Sequence, residues 1–194
     1  MEPWNLDAEQ VALVMAASGR TRHPIRDRAI VALCIDVGLR RHEAVAVRMA
    51  DFDSTLWAVS VGTGAARRVI RLGHTSVLSL RDLGTDRPRR SQLLVSERGA
   101  PVTARVVHEQ LRRAGELAGL GEWVTCRHTR RTYLQAVAGA YPLPIVMRLM
   151  GHAGDARLRP ASAQQALQAQ FDAAWVSPLD ALMSEAREPV RRAA

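Results

Sequence analysis

This 194-residue sequence contains no lysine, only two cysteines and no long apolar run. Two cysteines, Cys34 and Cys126, are too few for a disulfide framework, and no cysteine–histidine spacing predicts a metal site. No stretch approaches the roughly 18 apolar residues that suggest a membrane span. The acidic Glu2, Asp7 and Glu9 at the start exclude a basic signal peptide. These absences predict a cytoplasmic protein without a metal, cofactor or membrane partner.

The charge of the chain is strongly positive. The formal net charge is +8, and all 27 basic residues are arginine. Such a balance indicates a polyanionic partner, and nucleic acid is the commonest one. Arginine presents a planar fork that binds phosphate through two parallel hydrogen bonds. We therefore expect a nucleic acid as the partner and no small-molecule substrate. A basic surface kept for solubility is the alternative.

Hydrophobic periodicity predicts a mainly α fold with a small antiparallel β-sheet, in a single domain over residues 1–194. Alternating residues at 56–61 and 68–72 predict a hairpin, and 93–96 a short third strand. Gly38 ends the second helix, as a C-terminal glycine often does. Helices are predicted at 7–18, 24–37, 41–49, 75–83, 103–118, 126–139, 144–150, 161–175 and 178–187.

Three short motifs contain residues suited to holding a phosphate. The first is Gly-Leu-Arg-x-x-Glu, in which Arg40 lies where one helix ends and the next begins, and Glu43 is placed to orient it. The second is Arg127 followed by His-Thr. The third is Leu-Met-Gly-His, which ends at His152. Two arginine forks and a histidine donor can together hold the oxygens of a phosphodiester.

In their order and spacing, these motifs resemble the Arg, second Arg and His boxes of the tyrosine recombinase (phage integrase) catalytic domain. The resemblance covers roughly residues 7–176 and implies that Arg40, Arg127 and His152 bind a phosphate of double-stranded DNA. It also implies that the separate N-terminal DNA-binding domain of most family members has no room here. Many family members exchange a C-terminal helix between subunits, and residues 178–187 are the segment that could do so.

Three positions depart from the family's chemistry. The resemblance implies a lysine in the hairpin turn, a histidine at the start of the second box and a nucleophilic tyrosine nine residues after His152. This sequence has Thr63, Val124 and Ala161 at those places. The only two tyrosines, Tyr133 and Tyr141, precede His152, and we expect both to be structural. The sequence therefore predicts a phosphate grip without an evident nucleophile or general acid.

Other side chains near these boxes are candidates for secondary roles. We expect His128 to pack or hydrogen bond inside the fold. Further arginines could track the DNA backbone beside the boxes, and a solvated basic face is the equal alternative for them. These candidate DNA-contacting residues are Arg67, Arg68, Arg130 and Arg131.

Three functional hypotheses follow from these residues. The first is a DNA-binding, catalytically deficient recombinase-like protein that regulates or assists recombination or transcription, on the nucleoid. The second is an active strand-transfer enzyme whose nucleophile is displaced or supplied by a partner. The third is a decayed mobile-element remnant that acts as a protein-interaction module. The possible protein partners are an active recombinase or a second copy of this chain.

Overall fold

A computed structural model of the chain describes residues 5–84, 87–96, 98–152 and 175–187, together with residues 169 and 171. It confirms the predicted fold class, which is mainly helical with a small antiparallel sheet. Helix α1 begins after Asp7, whose carboxylate accepts from the Gln10 N–H while the Gln10 side chain accepts from the Asp7 N–H. This reciprocal cap satisfies N–H groups that the first turn leaves free.

The elements follow one another in the order α1–α2–α3–β1–β2–β3–α4–α5–α6–α7–α8, with 3₁₀ turns at Met49–Asp51 and Gly64–Ala66. Proline occupies the first turn of α2, where its missing N–H costs nothing. The helices are α1 Ala8–Ser18, α2 Pro24–Asp36, α3 Arg41–Ala46, α4 His74–Leu83, α5 Ala104–Leu117, α6 Cys126–Ala140, α7 Leu143–Leu149 and α8 Pro178–Glu185.

The sheet has three antiparallel strands in the order β1-β2-β3. Strands β2 (Ala58–Val61) and β3 (Arg68–Arg71) form the predicted hairpin. The prediction of a third strand at 93–96 is wrong, because the third strand is β1 (Phe52–Asp53). Leu93 and Leu94 are both buried, whereas successive strand residues point to opposite faces. Their segment makes only isolated bridges to neighbouring loops.

Two predicted helices differ from the structure or lie outside it. Helix α3 ends at Ala46, three residues earlier than predicted, because Val47 has an extended backbone with φ −60° and ψ 129°. The 3₁₀ turn that follows it made the helical pattern look longer. The predicted helix at 161–175 lies outside the described residues, apart from residues 169, 171 and 175.

Helix α2 is the centre of the core. Its residues from Arg26 onward are buried, except Arg28, and α1, α4, α5, α6 and α8 all contact it. Cys34 is fully buried there. A helix that is surrounded on all sides fixes its C-terminal end firmly, and that end leads directly to Gly38 and Arg40. Over the ranges given above, no helix combines the length and apolarity that crossing a membrane requires.

Helix α8 lies against α1, α2 and α4 of its own chain. The buried carboxylate of Asp36, at the end of α2, accepts hydrogen bonds from the Ser177 hydroxyl at 2.6 Å and the Gly73 N–H at 2.7 Å. Asp180 accepts from the N–H groups of His74 and Thr75 at the start of α4. These bonds hold the C-terminal helix in place. Its exchange between subunits stays a prediction.

Replacing Gly38 by alanine should weaken the fold. Gly38 has φ +63°, and an added Cβ would lie 2.5 Å from Cδ1 of Tyr133. Left-handed backbone strain and overlap with a buried ring together cost about 2–4 kcal/mol in the free energy of unfolding, measured by urea denaturation.

The matched control is Gly139→Ala, within α6. No neighbour lies within 4 Å of an added Cβ there, and its φ is not in the left-handed range. Replacing a glycine in the last turn of a helix by alanine should raise stability by at most about 0.5–1 kcal/mol. Equal effects of the two substitutions would contradict the close packing of Gly38 on Tyr133.

Candidate nucleic-acid interface

Arg40 is presented by the sharp turn between α2 and α3. The left-handed Gly38 reverses the chain, and Arg40 takes an extended backbone at the N-cap of α3. Its own N–H donates to Oε2 of Glu43 at 2.8 Å, and its Nη1 lies 3.3 Å from Oε1. The side chain is still 37% exposed. Glu43 therefore orients Arg40, as predicted, and leaves part of its guanidinium facing solvent.

Glu43 has a closer partner in Arg68, at the start of β3. Nη1 and Nη2 of Arg68 donate to the two carboxylate oxygens at 2.9 and 3.2 Å. The Arg68 side chain is 1% exposed, so it lies in the interior and not among the surface arginines. Strand alternation could have predicted the burial of Arg68, because it puts Arg68 on the same inward face of β3 as the buried Ile70.

Arg130 physically joins the first and third sequence boxes. From α6, its Nη1 donates to the carbonyl of Gly38 at 2.6 Å and its Nη2 to the carbonyl of Met150 at 2.5 Å. Its Nη1 also lies 3.9 Å from Oε2 of Glu43. Sequence reasoning counted Arg130 only as a flanking arginine. Its bonds instead hold the Arg40 turn and the segment before His152 together.

The cluster carries more positive than negative charge. Arg40, Arg68 and Arg130 surround the single carboxylate of Glu43. Burial, and then the charges of Arg40 and Arg68, lower the pKa of Arg130 to about 10. Arg130 therefore stays protonated at neutral pH, and the three cations exceed the one anion by two. An anion that approaches the exposed edge of Arg40 would offset this excess.

Arg127 and Val124 occupy different environments, although both belong to the second predicted box. Val124 is fully buried, and a Cβ added to Gly115 on α5 would lie 2.7 Å from its side chain. A histidine at 124 would therefore face α5. Arg127 is exposed in the first turn of α6, three residues before Arg130. Residues three apart on a helix are surface neighbours, so Arg127 extends the Arg130 side of α6 toward solvent.

His152 is exposed and directly follows the turn that covers Arg68. Gly151 has φ +67°, and a Cβ added to it would lie 2.8 Å from Nη1 of Arg68. The His152 N–H donates to the carbonyl of Met147 at the end of α7. The chain before His152 is thus bonded to Arg130 and packs closely on Arg68, so the backbone of His152 follows directly after the arginine cluster.

The remaining predicted residues are not part of the arginine cluster. Thr63 caps the 3₁₀ turn of the hairpin and is exposed. The Arg67 side chain is 60% exposed and lies 4.0 Å from Asp51, and Arg131 is half-buried. His128 packs edge-on against Trp123 and hydrogen bonds to Thr125, which confirms its predicted structural role. Ala161 lies outside the described residues.

Both tyrosine side chains are buried. Tyr133 is fully buried, and its hydroxyl has no hydrogen-bond partner among the residues that the structure describes. Burial raises the pKa of Tyr133 well above its usual value. Burial likewise raises the pKa of Tyr141, whose hydroxyl accepts a hydrogen bond from the Val176 N–H. Arg68 and Arg130 near Tyr133, and the Val176 N–H at Tyr141, favour ionisation, but burial outweighs them and keeps both phenols protonated.

No group of three or more histidine, cysteine, aspartate or glutamate side chains could hold a metal ion within the described part of the chain. What the site offers is arginine forks and one exposed histidine. Such a set can bind a phosphate through charge and hydrogen bonds.

Acid should weaken the fold through Glu43. Burial acts to raise its pKa, but hydrogen bonds from Arg68 and Arg40 outweigh burial and lower the pKa from 4.5 to about 2. Because the folded pKa is the lower one, this stabilisation is present above pH 4.5 and is lost between about pH 4.5 and pH 2. The difference corresponds to about 3 kcal/mol in the free energy of unfolding, measured by urea titrations from pH 7 to pH 2.5.

Two variants isolate this contribution. Glu43→Gln combined with Arg68→Met removes both buried charges. In acid, the free energy of unfolding of this double variant should fall by about 3 kcal/mol less than that of the unaltered protein. Glu109→Gln, at an exposed partner of Arg105, should keep the full decline. An unchanged acid decline in the double variant would contradict the role given to Glu43.

Comparison with known proteins identifies the family and the fold. The model of the phage integrase family matches residues 5–159. Tyrosine recombinase XerC 2 of Ralstonia nicotianae is 32% identical over 160 residues, which cover 76% of this chain and 46% of that protein. Tyrosine recombinase XerD of Corynebacterium glutamicum is 28% identical over 164 residues, covering 77% and 53%. The chain thus spans about half the length of these curated relatives.

Solved structures share the fold. XerA recombinase superposes with a TM-score of 0.68 at 20% identity, over 88% of this chain and 66% of that one. A λ integrase dimer bound to a core site gives 0.62 at 16% identity, over 78% and 58%. XerH bound to its difH substrate gives 0.64 at 18% identity, over 84% and 52%. With a family model that matches most of its length, this chain belongs to the phage integrase family.

Proposed function

We propose that this protein binds duplex DNA by gripping a backbone phosphate at the exposed edge of the Arg40–Arg68–Arg130 cluster, without cutting the strand. The observation that carries the proposal is the charge imbalance of that cluster, in which three guanidiniums share the one carboxylate of Glu43. A phosphate would supply the missing negative charge, and the partly exposed Arg40 is the fork that it reaches first.

Within this proposal, Arg130 takes the place in the second box that the sequence pattern gives to Arg127. Its support is that Arg130, and not Arg127, hydrogen bonds to the backbone beside Arg40 and His152. Arg127 lies one helical turn before it and is exposed. Arg127 and His152 then contact the phosphate or its neighbour from the rim of the cluster, with Arg67 and Arg131 as further backbone contacts.

Duplex DNA as the partner is supported by the net charge of +8 and by the relatives. Two of the solved structures that share the fold, those of λ integrase and XerH, are bound to their DNA sites. Phosphate contacts of this kind hold a protein in register on the duplex without reading its sequence. A protein bound in this way would reside on the nucleoid.

Catalytic deficiency is the second part of the proposal. The sequence has no lysine to protonate a leaving oxygen, and residue 161, where the family's tyrosine is expected, is alanine. Tyr133 and Tyr141 are both committed to the interior. A chain with these properties could occupy a recombination site beside an active recombinase or a second copy of itself. We propose that it regulates or assists recombination or transcription there.

The second candidate is an active enzyme with a displaced nucleophile, and Tyr141 is the residue that favours it. Its hydroxyl accepts a hydrogen bond from the backbone N–H of Val176, just before α8 begins. Movement of that segment would break this hydrogen bond. A tyrosine supplied by a partner subunit would complete the site in the same way.

DNA binding should depend on salt and on the exposed arginines. Arg40→Ala and Arg127→Ala should each weaken duplex binding about tenfold and lower the salt slope by about one, because each removes one phosphate contact. Glu43 retains Arg68 and Arg130 as partners in Arg40→Ala, so the fold should persist. Fluorescence anisotropy with a labelled duplex at several salt concentrations measures both quantities.

The matched control is Arg105→Ala, an exposed arginine on α5 that pairs with Glu109. It removes the same charge outside the cluster and should leave the affinity within about twofold. Equal losses of duplex affinity in all three variants would show that binding is only a non-specific attraction between DNA and the positive charge of the protein. Duplex affinity that is weak and unaffected by Arg40→Ala and Arg127→Ala would favour the protein-interaction module.

Strand cleavage should be absent. On a nicked suicide substrate, which traps the covalent protein–DNA intermediate, we expect no adduct on a denaturing gel, because no activated phenol faces the phosphate. The same assay should include the unaltered protein mixed with an active tyrosine recombinase. An adduct that forms with this chain and disappears in Tyr141→Phe would establish the second candidate instead.

A further inference from the structure

The connection between α4 and α5 contains a second group of exposed arginines. Arg89 and Arg90 are the two central residues of a β-turn, which the Ser91 N–H closes by donating to the Pro88 carbonyl at 2.8 Å. Both arginine side chains are exposed. Neither forms an ion pair with a residue in the described part of the chain. The tip of this turn therefore carries two adjacent positive charges that no carboxylate there offsets.

The turn is fastened to the segment that follows α3. The N–H groups of Met49 and Ala50 donate to the carbonyls of Ser91 and Arg89, each at 2.8 Å. Arg48 directly precedes these two residues and is also exposed. The backbone bonds thus bring a third exposed arginine against the turn, although it is distant in sequence. We call Arg48, Arg89 and Arg90 together the turn patch.

Arg87 fixes the turn from its other side. Its guanidinium donates to the carbonyls of Gln92 at 2.9 Å and Leu93 at 2.7 Å, and to that of Gly84 at 3.3 Å. These carbonyls belong to a loop, so they have no partner in a helix or a sheet ladder, and the arginine fork supplies one. A loop held by such bonds needs little further ordering when an anion binds to it.

The turn patch adjoins the surface proposed to bind DNA. Asp51, in the 3₁₀ turn after Arg48, lies 4.0 Å from Arg67, which directly precedes Arg68 of the arginine cluster. On the other side, α3 separates Arg48 from Arg40, and its six residues rise about 9 Å. The patch is thus on the order of 10 Å from Arg40, a distance comparable with the major-groove width of about 12 Å.

We propose that the turn patch is a second phosphate-binding surface, which contacts the DNA backbone beside the phosphate gripped at Arg40. The proposal rests on the proposed function, because it requires a duplex on the Arg40 side of the protein. A single phosphate contact leaves the protein free to turn about that point. Two contacts about 10 Å apart fix its direction along the duplex, and neither of them reads the base sequence.

Duplex DNA fits the patch better than an acidic protein segment does. The patch continues a surface that already has an excess of arginine over carboxylate. A duplex carries a charge for about every 1.7 Å of its axis, so one bound molecule reaches both the arginine cluster and the patch. An acidic segment at the patch would gain nothing from the cluster unless its own charge continued over the same distance.

The test compares two double variants of the full chain. Arg89→Ala with Arg90→Ala removes the tip of the turn patch, and Arg105→Ala with Arg113→Ala removes two arginines of α5 as the matched control. Fluorescence anisotropy with a labelled duplex at several salt concentrations measures affinity and salt slope. We expect the turn variant to bind at least about tenfold more weakly, with a salt slope lower by about two, because two phosphate contacts are lost. The control should stay within about fourfold.

Four results would contradict the patch, with thermal melting used to check that each variant is folded. Full affinity in the turn variant, beside a loss in Arg40→Ala, would overturn the patch and leave the proposed function standing. Equal weakening by the turn variant and the control would overturn it, because binding would then follow net charge alone. Absence of duplex binding by the unaltered protein would overturn both proposals.

The fourth result concerns an acidic protein partner, for which poly-glutamate is the probe. Poly-glutamate binding that the turn variant loses, while its duplex affinity is unchanged, would overturn the patch as a DNA contact. The opposite combination separates the two proposals in the other direction. Weakened duplex binding in the turn variant together with full affinity in Arg40→Ala would support the patch and overturn the grip at Arg40.

Discussion

The buried pairing of Arg68 with Glu43 is the interaction on which the Arg40–Arg68–Arg130 cluster depends. A charge taken out of water is costly unless another charge and well-aligned hydrogen bonds replace the solvent. Arg68 meets this condition through its two bonds to Glu43. Glu43 in turn fixes the backbone and side chain of Arg40. The buried Arg68–Glu43 pair thus determines the direction of the exposed Arg40 guanidinium.

Arg130 connects this buried pair to the loops on either side of it. Its fork uses two donors on backbone carbonyls, at Gly38 and Met150, and so connects two loops that are distant in sequence. Loops with few contacts to a scaffold are usually the mobile parts of a fold. Here both loops are attached to one rigid helix, so Arg40 and its neighbours are arranged before any ligand arrives. Preorganisation of this kind reduces the ordering cost of binding.

The sequence was sufficient for the fold class, the hairpin and the turn at Gly38, because each rests on local periodicity or on one backbone preference. It was insufficient for choosing among arginines. Arg127 and Arg130 lie on one helix face, and only the distant carbonyls of Gly38 and Met150 distinguish them. Arg68 was placed at the surface by its charge, although strand alternation indicated the interior. Helix α3 was extended too far because a 3₁₀ turn followed it.

The packing of Gly38 against the Tyr133 ring limits which substitutions the chain can accept in evolution. Substitutions at Gly38, Glu43 or Arg68 would be selected against because they destabilise the fold, whatever the protein does in the cell. Their persistence in a descendant therefore reports selection for a folded chain. The exposed Arg40, Arg127 and His152 do not carry that constraint, so retention of those three residues would report selection for the proposed DNA binding.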